Sequence, residues 1–143
     1  MWYPYGFSAI VNQGVHWAND SFVAYLVRTG ATQYLPRSGH SGINFVSAAF
    51  RAYATAAALA GKSIAVSGSG LVLDANDLTI AAASGTGDFH AVVIARSAAT
   101  EAGQTPVMFV PLTSGITLNT SDVTIAWNNP SGIGILWGSG NTS

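Results

Sequence analysis

The chain has 143 residues, the length of one domain, with five Lys and Arg, six Asp and Glu, and a formal net charge of −1. Charged residues make up 8% of it, against about 25% in an ordinary soluble protein, so no basic groove for phosphate neutralisation can be assembled and nucleic acid is not expected as a partner. Cysteine is absent, which excludes disulfides, thiolate metal sites and a cysteine nucleophile.

Taken in chain order, short β-branched and aromatic runs alternate with clusters of Gly, Asn, Asp, Ser and Pro, the pattern of an all-β domain. The first nineteen residues carry no charge and are interrupted by Pro4, Gly6, Asn12, Gln13 and Gly14. No secretory signal is therefore predicted, and no later segment reads as a membrane span. Phe7 to Val11 is a short apolar segment closed by Asn12-Gln13-Gly14, and Val15-His16-Trp17 runs into a turn at Asn19-Asp20. Phe22 to Val27 is a strong strand whose nearly continuous hydrophobicity predicts burial on both faces. Thr29 to Asn44 reads as a long loop with Tyr34 and Leu35 as anchors, and loops of that length are often functional.

Phe45 to Leu59 fits a helical period and a period of two at once. The reading adopted is a short helical turn near Ile43 to Ala48, then a strand. Ser63 to Val66, Gly70 to Leu73 and Leu78 to Ala82 are short strands, joined by Ser67-Gly68-Ser69 and by the Asp74-Ala75-Asn76 turn. Ala91 to Arg96, Val107 to Val110, Ile116 to Leu118, Val123 to Trp127 and Ile133 to Trp137 complete the series, with Pro106 and Pro111 as strand ends. About nine or ten strands at this spacing predict a single-domain β-sandwich or distorted β-barrel over residues 1–143, with one short helix. One pentapeptide recurs: Asp77-Leu78-Thr79-Ile80-Ala81 returns as Asp122-Val123-Thr124-Ile125-Ala126, and Asp20-Ser21-Phe22-Val23-Ala24 is a looser copy. Each begins with an Asp placed to bond turn amides.

The residues offer little chemistry. His16, His40 and His90 lie in unrelated segments without ligand spacing, so no metal is expected. The acids sit mostly in strand-start turns, and neither a Gly-x-Ser-x-Gly elbow nor a phosphate loop occurs. The chain is read as having no catalytic residue, no cofactor and no enzymatic activity. Hydrophobic content of 49% is near the usual ~45–50%, so the missing charge is missing from the outside, which suits a surface covered by other chains. The aromatic segment Met1-Trp2-Tyr3-Pro4-Tyr5 has two readings, a terminus folded onto its own core or an arm (residues 1–6) laid on a neighbour. Residues 138–143 read as a flexible tail. Interface candidates by position and type are Trp2, Tyr3 and Tyr5 in the arm, and Tyr34, Leu35 and Arg37 in the long loop.

The order of these elements resembles a family of small virion proteins of tailed bacteriophages. The residues that carry the likeness are the apolar Phe7 to Val11, Gly14, Trp17 and the Asp-led strand Asp20 to Val27. Leu59-Ala60-Gly61-Lys62-Ser63-Ile64 follows as the opening of a strand. The run from Leu71 to Ile80 matches the pattern aliphatic-x-aliphatic-D-A-x-D-aliphatic-T-aliphatic, and the chain closes with Asp122 to Trp127 and the strand from Gly132 to Leu136. The Thr29 to Gly42 loop, which lacks acidic residues, and the Ala-rich Ala52 to Ala60 depart from the family pattern. The resemblance implies a capsid decoration (cement) protein on the virion surface, made in the host cytoplasm. It implies a homotrimer with the major capsid protein as partner, and no membrane. Two other readings remain open, a tail or head-to-tail component and a glycan or host-surface binding module built on exposed Trp and Tyr.

Overall fold

A computed structural model describes residues 2–12, 14–28, 36, 39–46, 57–67, 70–80, 88–117, 122–127 and 134–137. The all-β class holds: nine strands, one short α-helix and two single 3-10 turns make up the described elements. In chain order they are α1 (Pro4–Val11), β1 (Phe22–Arg28), a 3-10 turn (Ile43–Phe45), β2 (Ala57–Ala58), β3 (Ser63–Ser67), β4 (Gly70–Asp74) and β5 (Leu78–Ile80). After these come β6 (Asp88–Arg96), a second 3-10 turn (Glu101–Gly103), β7 (Pro106–Thr117), β8 (Val123–Ile125) and β9 (Gly134–Trp137). The strands form three small antiparallel sheets, ordered β2-β1-β6-β7, β3-β4-β9 and β5-β8.

The four-stranded sheet is the centre, and the sequence of β1 explains its position. Phe22, Ala24 and Leu26 alternate with Tyr25 and Val27, and the two sets enter separate clusters on opposite faces. β6 behaves likewise: every residue from Ala91 to Ala95 is fully buried, Val92 and Ile94 on the first face and Ala91, Val93 and Ala95 on the second. This is the two-sided burial that the uninterrupted apolar run predicts. The first face packs against Leu73 of β4, Leu78 and Ile80 of β5, Ile125 of β8 and Trp127. The second face is covered by Tyr3, Ile43 and Val46.

The structure corrects two readings. Pro111 does not end a strand, because it lies inside the twelve-residue β7 and pairs with Ala91. β7 is the edge strand of its sheet, where a residue without an N–H breaks no ladder. The register then jumps, Phe89 pairing with Ile116 and Ala91 with Pro111, so β7 carries a wide bulge. The helix, in turn, lies at Pro4–Val11, while the expected turn near Ile43 is a 3-10 turn of three residues. Pro4 stands at the start of α1, where its missing N–H costs nothing and its fixed φ suits the helix. Gly6 lets the helix lie directly on β7: a Cβ there would stand 2.2 Å from the Pro106 carbonyl oxygen and 2.7 Å from the Val107 Cα. The expected strand beyond Phe45 falls largely on residues 47–56, outside the described residues.

Candidate interaction surface

The six interface candidates do not form one surface. Tyr34, Leu35 and Arg37 lie outside the described residues. Trp2 and Tyr3 are buried in the chain's own core, Trp2 in the first cluster and Tyr3 in the second. Trp2 forms a β-bridge with Met108, and the Tyr3 N–H donates to the Val107 carbonyl at 2.9 Å. The Trp2 ring also meets Phe7 edge-on, with centroids 5.4 Å apart. Residues 2 and 3 therefore close the edge of β7 at Val107 and Met108, and residues 4 to 6 are the first turn of α1. Of the two readings of this segment, a fold-back onto the chain's own core holds for Trp2 and Tyr3 and the arm does not, for a physical reason: part of a strand edge and two large apolar rings are satisfied within one chain. Among the described aromatic residues of the arm, Tyr5 alone reaches solvent substantially, at 48% exposure.

Among the described residues, the large apolar side chains that face solvent are Tyr5, Val11, Phe45 and Ile64. Tyr5 and Val11 are on α1. Phe45 stacks on His40, with centroids 5.2 Å apart and planes 18° from parallel, and His40 in turn lies 6.3 Å from the Tyr3 ring. Ile64 is on β3. Val11 and Phe45 sit among apolar residues, and no local pattern marks them as surface residues; for Ile64 the alternation Ser63-Ile64-Ala65-Val66-Ser67 is the usable signal.

Three of the carboxylates weighed as chemistry accept backbone N–H groups, two of them within turns. Asp20 accepts the His16 N–H at 2.9 Å, Asp74 the Ala75 N–H at 2.9 Å and Asp77 the Trp127 N–H at 3.2 Å. Arg96 donates to the Gly14 carbonyl at 2.6 Å. Asp20 and Arg96 also line an open depression of about 470 Å³ with Ser21, Ser97 and Ala98; both charged groups there are tied to the backbone of residues 14–16. Among the described residues no group of three His, Asp or Glu is gathered as a metal site would require. No helix is long and apolar enough to cross a membrane.

Trp17, which sequence reading treats only as part of a pattern, is a central joint. Its buried ring packs on Phe22 at 4.8 Å, and its indole N–H reaches both the Ser63 and the Asp74 carbonyls, at 3.0 and 3.1 Å. It thereby fixes the open end of the β3–β4 ladder to the central sheet. Trp127 repeats the device, its indole N–H donating to the Asn76 carbonyl at 3.0 Å. The described tryptophan side chains (Trp2, Trp17 and Trp127) are thus all buried, which removes them as stacking platforms for a sugar.

The accessible surface is 7318 Å², close to the ~6,900 Å² expected of a compact monomer of this mass. An ordinary area thus carries an unusually small charge, five basic and six acidic residues. No protein-family model, no characterised protein and no solved structure matches the chain.

Proposed function

We propose that this protein is a structural component of a tailed-bacteriophage virion, a capsid decoration (cement) protein that docks on the outer shell and ties neighbouring capsomers together. The observation that carries the reading is the pairing of a normal surface area with 8% charged residues. Such a surface has little electrostatic protection against association. The order of strand and turn motifs supports the same reading, and the described carboxylates that bond turn amides leave no assembled reactive site to explain. The protein works by burying apolar surface against the major capsid protein and against its own copies, without cofactor or catalysis.

An interface of standard size, ~1,600 Å², has enough gross apolar driving force at ~25 cal/mol per Å² to offset the cost of ordering two partners. Tyr5, Val11 and Phe45 are the described side chains best placed to contribute. The test is cosedimentation of the purified protein with capsids that lack it, together with immunolabelling of virions. Saturable binding that survives high salt is expected, because apolar contacts are not screened. Replacing Tyr5 and Phe45 together by Ser weakens it by at least about tenfold. Failure to label virions, or binding abolished by salt alone, refutes the proposal.

A further inference from the structure

We propose that two copies of this chain pair through the outer edge of β3, in antiparallel register about a two-fold axis at Ala65. β3 is an edge strand: its sheet is ordered β3-β4-β9, and among the described residues no strand pairs with it on the side away from β4. Natural edges are guarded by charge, proline, bulges or covering segments. The edge of β7 is covered at Val107 and Met108 by the chain's own Trp2 and Tyr3. Among the described residues β3 has no such guard: Ser63-Ile64-Ala65-Val66-Ser67 contains neither charge nor proline, and its pairing with β4 runs without a register shift. The nearest cation, Lys62, holds its ammonium 5.9 Å from the centre of the Phe22 ring.

The register identifies the occupant as a second copy. Ser67 pairs with Gly70 across an interval of two residues, and the flanking pair of a two-residue hairpin exchanges hydrogen bonds. Counting back by twos, Ser67, Ala65 and Ser63 turn their N–H and C=O toward β4, while Ile64 and Val66 turn theirs outward. Trp17 bonding the Ser63 and Asp74 carbonyls together agrees with that phase. A two-fold at Ala65 sets Ile64 of one copy opposite Val66 of the other, so each outward donor meets an outward acceptor. The strand also reads nearly the same in both directions: Ser, a β-branched residue, Ala, a β-branched residue, Ser. Facing residues are therefore alike, Ser63 with Ser67 and Ile64 with Val66, and β-branched cross-strand pairs are favourable. Ile64 is 48% exposed in the single chain, leaving apolar area for the contact to bury.

The chain already contains this arrangement once. Leu78 pairs with Ile125, Thr79 with Thr124 and Ile80 with Val123, so the recurring pentapeptide packs against its own second copy about a local two-fold. The inference does not depend on where in a particle the protein sits, and it gives a two-fold contact where the family resemblance implies a trimer.

The test is the solution mass of the full chain by sedimentation equilibrium, read with backbone amide exchange. The expected result is a concentration-dependent doubling of the 14.7 kDa chain, with the Ile64 and Val66 amides protected only in the dimer and the Ala65 amide protected throughout. Ile64→Lys and Val66→Pro each weaken association by at least about tenfold, since one places charge on the edge and the other removes an outward donor. Ile64→Val leaves association intact. Unchanged circular dichroism shows that the variants fold. A single-chain mass at millimolar concentration overturns the proposal, as does an assembly of any size that both disruptive substitutions leave intact.

Discussion

Replacing Gly6 by Ala tests how the N-terminal segment is held. In an exposed helix the change would stabilise by about 1 kcal/mol, because Ala is the better helix former. Here the added methyl would stand 2.2 Å from the Pro106 oxygen and 2.7 Å from the Val107 Cα. Both are backbone atoms of β7, which Tyr3 and β6 hold in place, so neither can swing aside. Either α1 lifts by roughly an ångström, at the upper end of the ~1–3 kcal/mol cost of overpacking, or the segment undocks. Undocking exposes Trp2 and Tyr3, each worth ~1.5–3 kcal/mol of burial. After the helix-propensity gain, the expected loss is about 2–5 kcal/mol. For a chain of this length that lowers Tm by roughly 6–15 °C, measurable by scanning calorimetry, with acrylamide quenching reporting newly exposed tryptophan. Ser8→Ala, at an exposed position of the same helix, is the control and leaves Tm level or slightly raised. A Gly6→Ala protein as stable as the parent would show that α1 does not rest on β7.

Trp17→Phe keeps an aromatic ring but removes the indole N–H that the Ser63 and Asp74 carbonyls share; urea titration should show a loss of about 0.5–1.5 kcal/mol, and an unchanged midpoint would dismiss the joint. Gly61, at φ +60°, meets the Asn76 side chain, which is exposed and can move away. The cost of Gly61→Ala is therefore the left-handed backbone itself, about 1–2 kcal/mol, and Gly61→Asn should cost less; equal thermal shifts for the two would contradict that account. Leu26→Ala, at a fully buried position on the first face of the central sheet, should cost about 2–5 kcal/mol by the same titration. Thr79→Val loses only a 3.3 Å exposed hydroxyl contact with Thr124 and should move stability by no more than about 0.5 kcal/mol; a larger change would give that contact a weight its geometry does not suggest.

Most of the strands are legible because they are local runs rich in aliphatic, β-branched or aromatic residues, the two alanines of β2 being an exception. Phe22 to Val27 even announced its two buried faces. The helix was not legible, because Pro4 and Gly6 read in isolation as breakers. Proline is harmless at a helix start, and the need for glycine arises only from the approach of Pro106, a hundred residues further on. Trp2 and Tyr3 were ambiguous for a related reason: aromatic residues are enriched at interfaces and in cores alike, and what decides between them is an open β7 edge that no local pattern reveals. The division into three sheets is equally non-local, as the pairing of β4 with β9 shows. The turn carboxylates divide: Asp20 and Asp74 bond nearby amides as their turn positions imply, whereas Asp77 reaches across to Trp127.

The recurring pentapeptide shows what short strands in this chain are built to do. An antiparallel pair has a local two-fold axis between its strands, so two segments of the same sequence meet with like residues in equivalent places. Leu78 and Ile80 face inward with Ile125, and Thr79 and Thr124 meet on the outside. One pattern of alternation thus serves both strands, and no second solution has to be encoded. β3 carries that economy one step further, since its five residues are already their own counterpart when reversed about Ala65. Within one chain such a strand has no equivalent partner to meet, and across two chains it does. A surface with so few charges offers little repulsion to that meeting.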